Sequence, residues 1–176
     1  MKKKLNLRDK IAKIADFPQK GVVFRDLTPL LLDPRYLRET IRQIMDKIKK
    51  LKIDVVCGID SRGFIFGPIL AYKLGVGFVP VRKINKLLPR KVVKQIYKLE
   101  YGTDGVKMHD DAIKKGERIL IVDDLVATGG TAKATASLVE KLGGKVVAFL
   151  FLNELSSLHP RKKLKGYKVI SLIKFK

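Results

Sequence analysis

Ile119-Leu120-Ile121-Val122-Asp123-Asp124-Leu125-Val126-Ala127-Thr128-Gly129-Gly130-Thr131 is the stretch on which the reading of this sequence turns. Its apolar opening has the composition of a strand buried on both faces, and Thr131–Leu142 continues as a helical stretch. Two carboxylates leave the strand, and a small-residue, hydroxyl-rich turn opens onto the helix. The backbone amides of such a turn, with the positive end of the helix dipole, make a cradle for a phosphate. The acids argue against a second phosphate directly beside the first and suit a neutral polyol or a cation. A ribose 5-phosphate meets both demands, with sugar hydroxyls on the acids and phosphate in the turn. Adjacent strand residues point to opposite faces, so Asp123 and Asp124 are expected to have unequal roles unless the strand has already ended.

Working outward, apolar runs alternate with helical stretches: Ile53–Ile59, Phe64–Leu74, Val76–Val81, Arg118–Val122, Thr131–Leu142 and Val146–Leu152. Continuous apolar strands separated by crossover helices predict a doubly wound α/β fold with a mostly parallel sheet and helices on both faces. Upstream, Leu7, Ile11 and Ile14 at helical spacing predict a short amphipathic helix over 5–15. Asp33-Pro34 supplies an N-cap and a first-turn proline for a second helix lined by Leu37, Ile41, Ile44, Ile48 and Leu51. Val92–Tyr101 alternates like an exposed ribbon, with Val93, Gln95, Tyr97, Leu99 and Tyr101 on one face. Thr103-Asp104-Gly105 is expected to turn, and Val106-Lys107-Met108 to return antiparallel, as an excursion from the sheet. Tyr167–Phe175 is expected to be an edge strand.

The chain has 176 residues, which fits one domain. It carries 38 Lys and Arg against 17 Asp and Glu, a net charge of +21. The excess is mostly lysine and is spread over the whole length, which fits compositional drift better than a dedicated nucleic-acid surface. The segment Arg82–Lys98 holds seven basic residues and no acid, and reads either as a solvated loop or as a mobile cationic lid. The single cysteine, Cys57, excludes an internal disulfide and sits in an apolar run, as an inert buried thiol would. Without a secretory signal, and with no apolar run near the ~20 residues of a membrane helix, a soluble cytoplasmic protein is expected.

Two nucleotide fingerprints fail. Gly58 and Gly63 have Walker-loop spacing, but Phe64-Ile65 stand where Lys-Ser/Thr is required. Gly75-Val76-Gly77 lacks the third glycine of the dinucleotide motif. The run Ile121–Thr131, by contrast, resembles the phosphoribosyl diphosphate signature of the type I phosphoribosyltransferases. Asp16-Phe17-Pro18, Gly21-Val22-Val23-Phe24-Arg25-Asp26, Gly58-Ile59-Asp60-Ser61-Arg62-Gly63-Phe64, Pro80-Val81-Arg82-Lys83 and Leu99-Glu100-Tyr101-Gly102 resemble, in order, the adenine phosphoribosyltransferase branch of that family.

The resemblance implies one phosphoribosyltransferase domain over 1–176, with a hood segment at 1–32 and a lid with β-ribbon at 82–108. The implied reaction joins adenine to the phosphoribosyl group of phosphoribosyl diphosphate, giving AMP and pyrophosphate in purine salvage. Mg²⁺ would be bound mainly through the diphosphate, with no dedicated metal cage. It further implies that Ala127, Thr128, Gly129, Gly130 and Thr131 hold the 5′-phosphate and that Asp123 and Asp124 face the ribose. Asp60, Ser61 and Arg62 would form the pyrophosphate loop, in which related enzymes often carry a cis peptide, here expected at Asp60–Ser61. Arg62, Arg82, Lys83 and Lys86 are the candidate cations for the departing pyrophosphate. Phe24 would stack on adenine, unless it is an ordinary core residue, with Val23 and Arg25 addressing the purine edge and Leu125 the opposite base face. Glu100 would manage the purine proton, its alternative being a salt bridge to a lysine, and Tyr101 belongs to the same segment. A lid would exclude water, and a homodimer is implied, with Arg82 reaching a neighbouring site.

The sequence departs from the family pattern at Lys20, Ser61 and Asn85, and with an extra leucine in Ile84–Pro89. His109 and His159 attract no catalytic role. Two rival readings are a sibling transferase acting on a 6-oxopurine or orotate, and a phosphoribosyl-diphosphate-sensing regulator that binds nucleic acid. Phe24-Arg25 and Leu99-Glu100-Tyr101 speak against the first, and the short stretch before Phe17 against the second.

Overall fold

The computed structural model describes residues 5–98 and 103–176, which fall into two compact units, 1–49 and 50–176. In the first, Asn6 caps a 3₁₀ turn, Leu7–Lys10, through its side chain to the Arg8 amide. Strands β1 (Ala12–Ala15) and β2 (Val23–Asp26) then pair antiparallel, Ile14 opposite Phe24. The helix expected over 5–15 therefore does not form. Ile11 is extended, and Ile14, the third residue of the supposed apolar face, is 43% exposed. Pairing with a distant strand has overridden a helical spacing that only three residues supported. Helix α1 (Thr28–Leu32) comes next, and α2 (Pro34–Ile48) begins as expected, with Asp33 Oδ1 accepting the Arg35 amide and Ile41, Ile44 and Ile48 buried along one face.

The second unit contains β3 (Val55–Ile59), α3 (Gly63–Leu74), β4 (Gly77–Lys83), β5 (Val92–Lys98), β6 (Thr103–His109), β7 (Arg118–Val126), α4 (Gly130–Lys141), β8 (Lys145–Leu155), α5 (Pro160–Lys163) and β9 (Val169–Phe175). They build a seven-stranded sheet in the order β5-β6-β4-β3-β7-β8-β9, parallel from β4 to β9. Every residue of β3 is buried, as a strand covered on both faces requires. Cys57, Ile59, Ile119, Ile121, Phe149 and Phe151 pack with the alanines and leucine of α4 in one apolar cluster. Burial pushes the Cys57 thiol far above its ordinary range, so it is an inert core group. Among the described residues no helix is long and apolar enough to cross a membrane.

Three expectations need correction. Strand β7 runs to Val126, so Asp123 and Asp124 lie on the strand rather than after it. Its last residues find ladder partners, Leu125 and Val126 opposite Asn153 and Glu154, because β8 is also longer than its apolar run. The ribbon is an antiparallel extension of the sheet edge rather than an excursion from it, joined to β4 at Arg82–Lys107 and Lys83–Val106. Thr103, Asp104 and Gly105 are strand residues that pair with Lys98, Tyr97 and Ile96, so no turn lies there.

The register of β3 and β7 sets where their loops begin. Val55 stands opposite Ile119 and Gly58 opposite Val122, so β3 ends beside the middle of β7 and its loop emerges next to Asp123 and Asp124. At their amino ends Arg118 donates Nε and Nη2 to Asp54 at 2.8 and 2.6 Å, and its amide to the same carboxylate at 2.8 Å. These contacts hold Asp54 well below the usual carboxylate range, at about 2. Beyond β3, α3 starts hard against β7: a Cβ on Gly63 would lie 2.6 Å from the Val122 carbonyl oxygen. Because that obstacle is backbone, Gly63→Ala is expected to cost about 2–3 kcal/mol and lower the melting temperature by roughly 5–10 °C in a thermal scan. A melting temperature within about 1 °C of wild type would show that the two elements are not in close contact.

Candidate active site

Three strand ends supply the site of the second unit. After β3 the chain turns through Asp60, Ser61 and Arg62, and the Asp60–Ser61 peptide is cis, as expected. The Asp60 amide donates to the Val81 carbonyl at 2.8 Å, which fixes the loop to β4. Its carboxylate meets Arg82 Nη1 at 3.1 Å, and the Arg82 guanidinium lies 5.9 Å from the centre of the Phe64 ring. Arg62 Nε reaches Asp124 Oδ2 at 2.7 Å, and Asp124 is only 4% exposed.

The two neighbouring acids differ as strand alternation predicts. Asp124 turns to Arg62, whereas Asp123 Oδ1 accepts the Asp124 amide at 2.9 Å and borders the cavity over the next turn. Burial pushes both carboxyls above their ordinary range. For Asp123 the neighbouring Asp124 charge adds to the effect, and for Asp124 the Arg62 guanidinium opposes it.

That cavity, of about 190 Å³, is bounded by Asp123, Leu125 and the whole turn Ala127–Thr131. Gly129 has φ 84°, a conformation that favours glycine, and a Cβ there would come within 3.0 Å of the Pro160 carbonyl. The residue is thus needed for the bend and for seating it on α5. Helix α4 begins at Gly130, and the first amides of a helix have no acceptor within it. The turn therefore presents donors and a helix N-terminus to its cavity, the requirement for an anion.

Lys83, at the end of β4, is held by the ribbon. Its Nζ donates to Asp104 Oδ2 at 2.6 Å and to the Tyr97 hydroxyl at 3.1 Å. Burial opposes the charge on Lys83, but Asp104 and Tyr97 outweigh it and raise the ammonium pKa. Burial likewise opposes ionisation of Asp104, and Lys83, Tyr97 and the Gly105 amide outweigh it, holding this carboxyl low. The Tyr97 hydroxyl also lies 2.8 Å from Thr131 Oγ1 in the turn. Sequence reasoning misses the parts played by Tyr97 and Asp104. Period-two alternation of the ribbon places Tyr97 on one face, but nothing local indicates that this face meets the turn.

The fold thus joins Asp60 to Arg82 and Arg62 to Asp124 through two ion pairs, with Asp123 accepting the Asp124 amide, and brings Lys83 and Thr131 together through Tyr97. Ser61 and Lys86 are exposed; the Lys86 amide donates to the Lys83 carbonyl at 3.0 Å. Val23, Phe24 and Arg25 lie on β2 of the first unit, where Phe24 meets Phe17 edge-on at 5.3 Å and is half-buried. Glu100 and Tyr101 lie outside the described residues. Among the described residues no three His, Cys, Asp or Glu side chains converge on a common point. The oxygen donors present, Asp123 and Asp124, are of the hard type that suits Mg²⁺.

The model of the phosphoribosyl transferase domain family matches residues 32–175. The adenine phosphoribosyltransferase of Thermotoga maritima is 54% identical over 170 residues, covering 97% of this chain and 98% of that protein. Among solved structures, the adenine phosphoribosyltransferase of Thermoanaerobacter pseudethanolicus matches with a TM-score of 0.93 at 50% identity, over 96% of this chain and 98% of that one. The enzyme of Saccharomyces cerevisiae, solved with D-2,5-dideoxy-2,5-imino-altritol 1,6-bisphosphate and adenine, matches with a TM-score of 0.88 at 39% identity, over 94% of this chain and 96% of that one. With the strand-end acids, the glycine-threonine turn and the doubly wound sheet all in agreement, the chain belongs to the phosphoribosyltransferase family, in its adenine phosphoribosyltransferase branch.

Proposed function

We propose that this chain transfers the 5-phosphoribosyl group from phosphoribosyl diphosphate to adenine, releasing AMP and pyrophosphate. The observation that carries the reading is the turn cavity bordered by Asp123, beside a buried Asp124 that the arginine of the neighbouring loop holds. In the reaction a purine nitrogen forms a bond to the ribose anomeric carbon while the bond from that carbon to the diphosphate oxygen breaks. Positive charge develops on the sugar, and negative charge grows on the leaving group.

The amides and hydroxyls of Ala127–Thr131 bind the 5′-phosphate and so fix the sugar. Asp123 and Asp124 accept hydrogen bonds from its hydroxyls, and their charge favours the cationic transition state. Arg62, Arg82 and Lys83, with Ser61 and Lys86, take the pyrophosphate; each of the first three is kept in place by a carboxylate until the ligand arrives. Mg²⁺ would be bound mainly through the diphosphate, with Asp123 and Asp124 as the protein oxygens available to it, and would supply positive charge at the leaving group. Val23, Phe24 and Arg25 are assigned to adenine, Leu125 to a base face and Glu100 to the purine proton, with Tyr101 beside it, on the strength of the resemblance. The basic segment 82–98 acts as the lid, and a homodimer in the cytoplasm completes the proposal.

The direct test incubates the protein with phosphoribosyl diphosphate, Mg²⁺ and one base at a time, and follows pyrophosphate and nucleotide. AMP from adenine is expected, with hypoxanthine, guanine and orotate inert; turnover only with one of those would transfer the reading to a sibling enzyme. Glu100→Gln should lower kcat by about 10²-fold or more, and near-normal turnover would remove Glu100 from the mechanism.

Asp123 gives a prediction in which stability and binding part company. A carboxyl whose pKa rises on folding holds its proton more tightly in the folded than in the unfolded chain. Stability therefore falls as pH climbs from the ordinary carboxylate range through the raised value. Asp123→Asn removes that loss and should raise the melting temperature at neutral pH by about 2–4 °C, while weakening ribose 5-phosphate at least ~10-fold in calorimetry. A lower melting temperature at neutral pH would mean that the carboxylate is not under strain.

A further inference from the structure

The hydroxyl of Tyr97 stands between two side chains that the proposed reaction gives to opposite ends of one substrate. Thr131, in the phosphate turn, approaches it at 2.8 Å; Lys83, a cation assigned to pyrophosphate, approaches it at 3.1 Å. The third neighbour is Asp104 Oδ2 at 2.8 Å, which Lys83 also contacts at 2.6 Å. A phenol has one proton to give and accepts up to two hydrogen bonds, so three partners use it fully.

The phenol proton has two places to go, of which the first gives every contact a proton. In one, Tyr97 donates to Asp104 and accepts from both Lys83 and Thr131. In the other, it donates to Thr131 Oγ1, which frees the threonine proton and takes the proton out of the Tyr97–Asp104 contact, so that Lys83 and the Gly105 amide hold the carboxylate. A phosphate in the turn needs donors, so it selects the second arrangement. The effect then passes to Lys83, because Asp104 has lost one of its donors. Lys83 has three N–H groups, and Asp104 and Tyr97 take two of them, which leaves one for a diphosphate oxygen.

The packing brings Tyr97 to this point. A Cβ on Gly130 would lie 3.4 Å from the Tyr97 ring, so the ring rests directly against the start of α4. The ribbon itself is joined to β4 by only two residue pairs, which makes the tyrosine an anchor between the ribbon and the turn.

We infer that Tyr97 is a positioning residue that ties Thr131 to Lys83, so that the 5′-phosphate and pyrophosphate ends of the substrate bind as coupled rather than independent subsites. The inference rests on the proposed function, which supplies the two ends. Its test uses ribose 5-phosphate and magnesium pyrophosphate as separate probes in calorimetry on the full chain.

In wild type, saturating magnesium pyrophosphate should change the Kd of ribose 5-phosphate by about 3- to 10-fold. In Tyr97→Phe, which keeps the ring and loses the hydroxyl, that factor should fall to near 1. The KM for phosphoribosyl diphosphate should rise about 3- to 10-fold in this variant, with the KM for adenine within about 2-fold. A variant that retains the wild-type factor, or one whose adenine KM rises equally, would overturn the inference, the latter because it would mean that the ribbon had simply moved. So would a wild-type factor near 1, which needs no variant. A wild type that binds neither probe and makes no AMP would instead overturn the function on which the inference rests.

Discussion

The close approach of the start of α3 to the middle of β7, at Val122, is the constraint on which the site depends. The Val122 carbonyl occupies the space that any side chain at Gly63 would need. One residue earlier, Arg62 is thereby carried to the edge of β7, where it reaches Asp124 at 2.7 Å. The contact is possible because β3 and β7 are parallel and in step, a register that the Asp54–Arg118 contacts secure at the opposite end. A slip of one residue would exchange the faces of Asp123 and Asp124 and part the arginine from its carboxylate. Register, glycine and ion pair thus express one requirement: the two loops must share a wall.

The site is costly to maintain without a ligand. Two adjacent carboxyls are drawn away from water, and both resist ionisation. Sugar hydroxyls that donate to them would relieve this penalty, so the binding of a polyol and the destabilisation of the empty site have the same origin. The cations are treated differently. Arg62, Arg82 and Lys83 each meet a carboxylate, of Asp124, Asp60 and Asp104, so the site is built from local charge balance. The net charge of +21 arises from lysines spread over the whole chain and does not build the site.

Much of this is legible in the sequence. The apolar runs at 53–59 and 119–122 locate the central strands, Asp33-Pro34 marks the start of α2, and the turn at Ala127–Thr131 stands out by composition. The features that escape depend on long-range pairing. Leu7, Ile11 and Ile14 carry a helical spacing, yet 12–15 form a strand because 23–26 lie ready to pair with them. Strand β7 continues past its apolar run because β8 extends beside it and pairs with its polar end. Asp104, which reads locally as a turn residue, belongs to a ladder with β5 and holds Lys83. No local signal encodes the meeting of Tyr97 with Thr131, which lie 34 residues apart.

The central claim is that the end of β7 recognises a phosphorylated pentose. A crystal structure of the protein soaked with ribose 5-phosphate tests it most directly. The account places the phosphate on the amides of residues 127–131 and the sugar hydroxyls against Asp123 and Asp124. A sugar phosphate bound elsewhere, or none bound at saturating concentration, would contradict it.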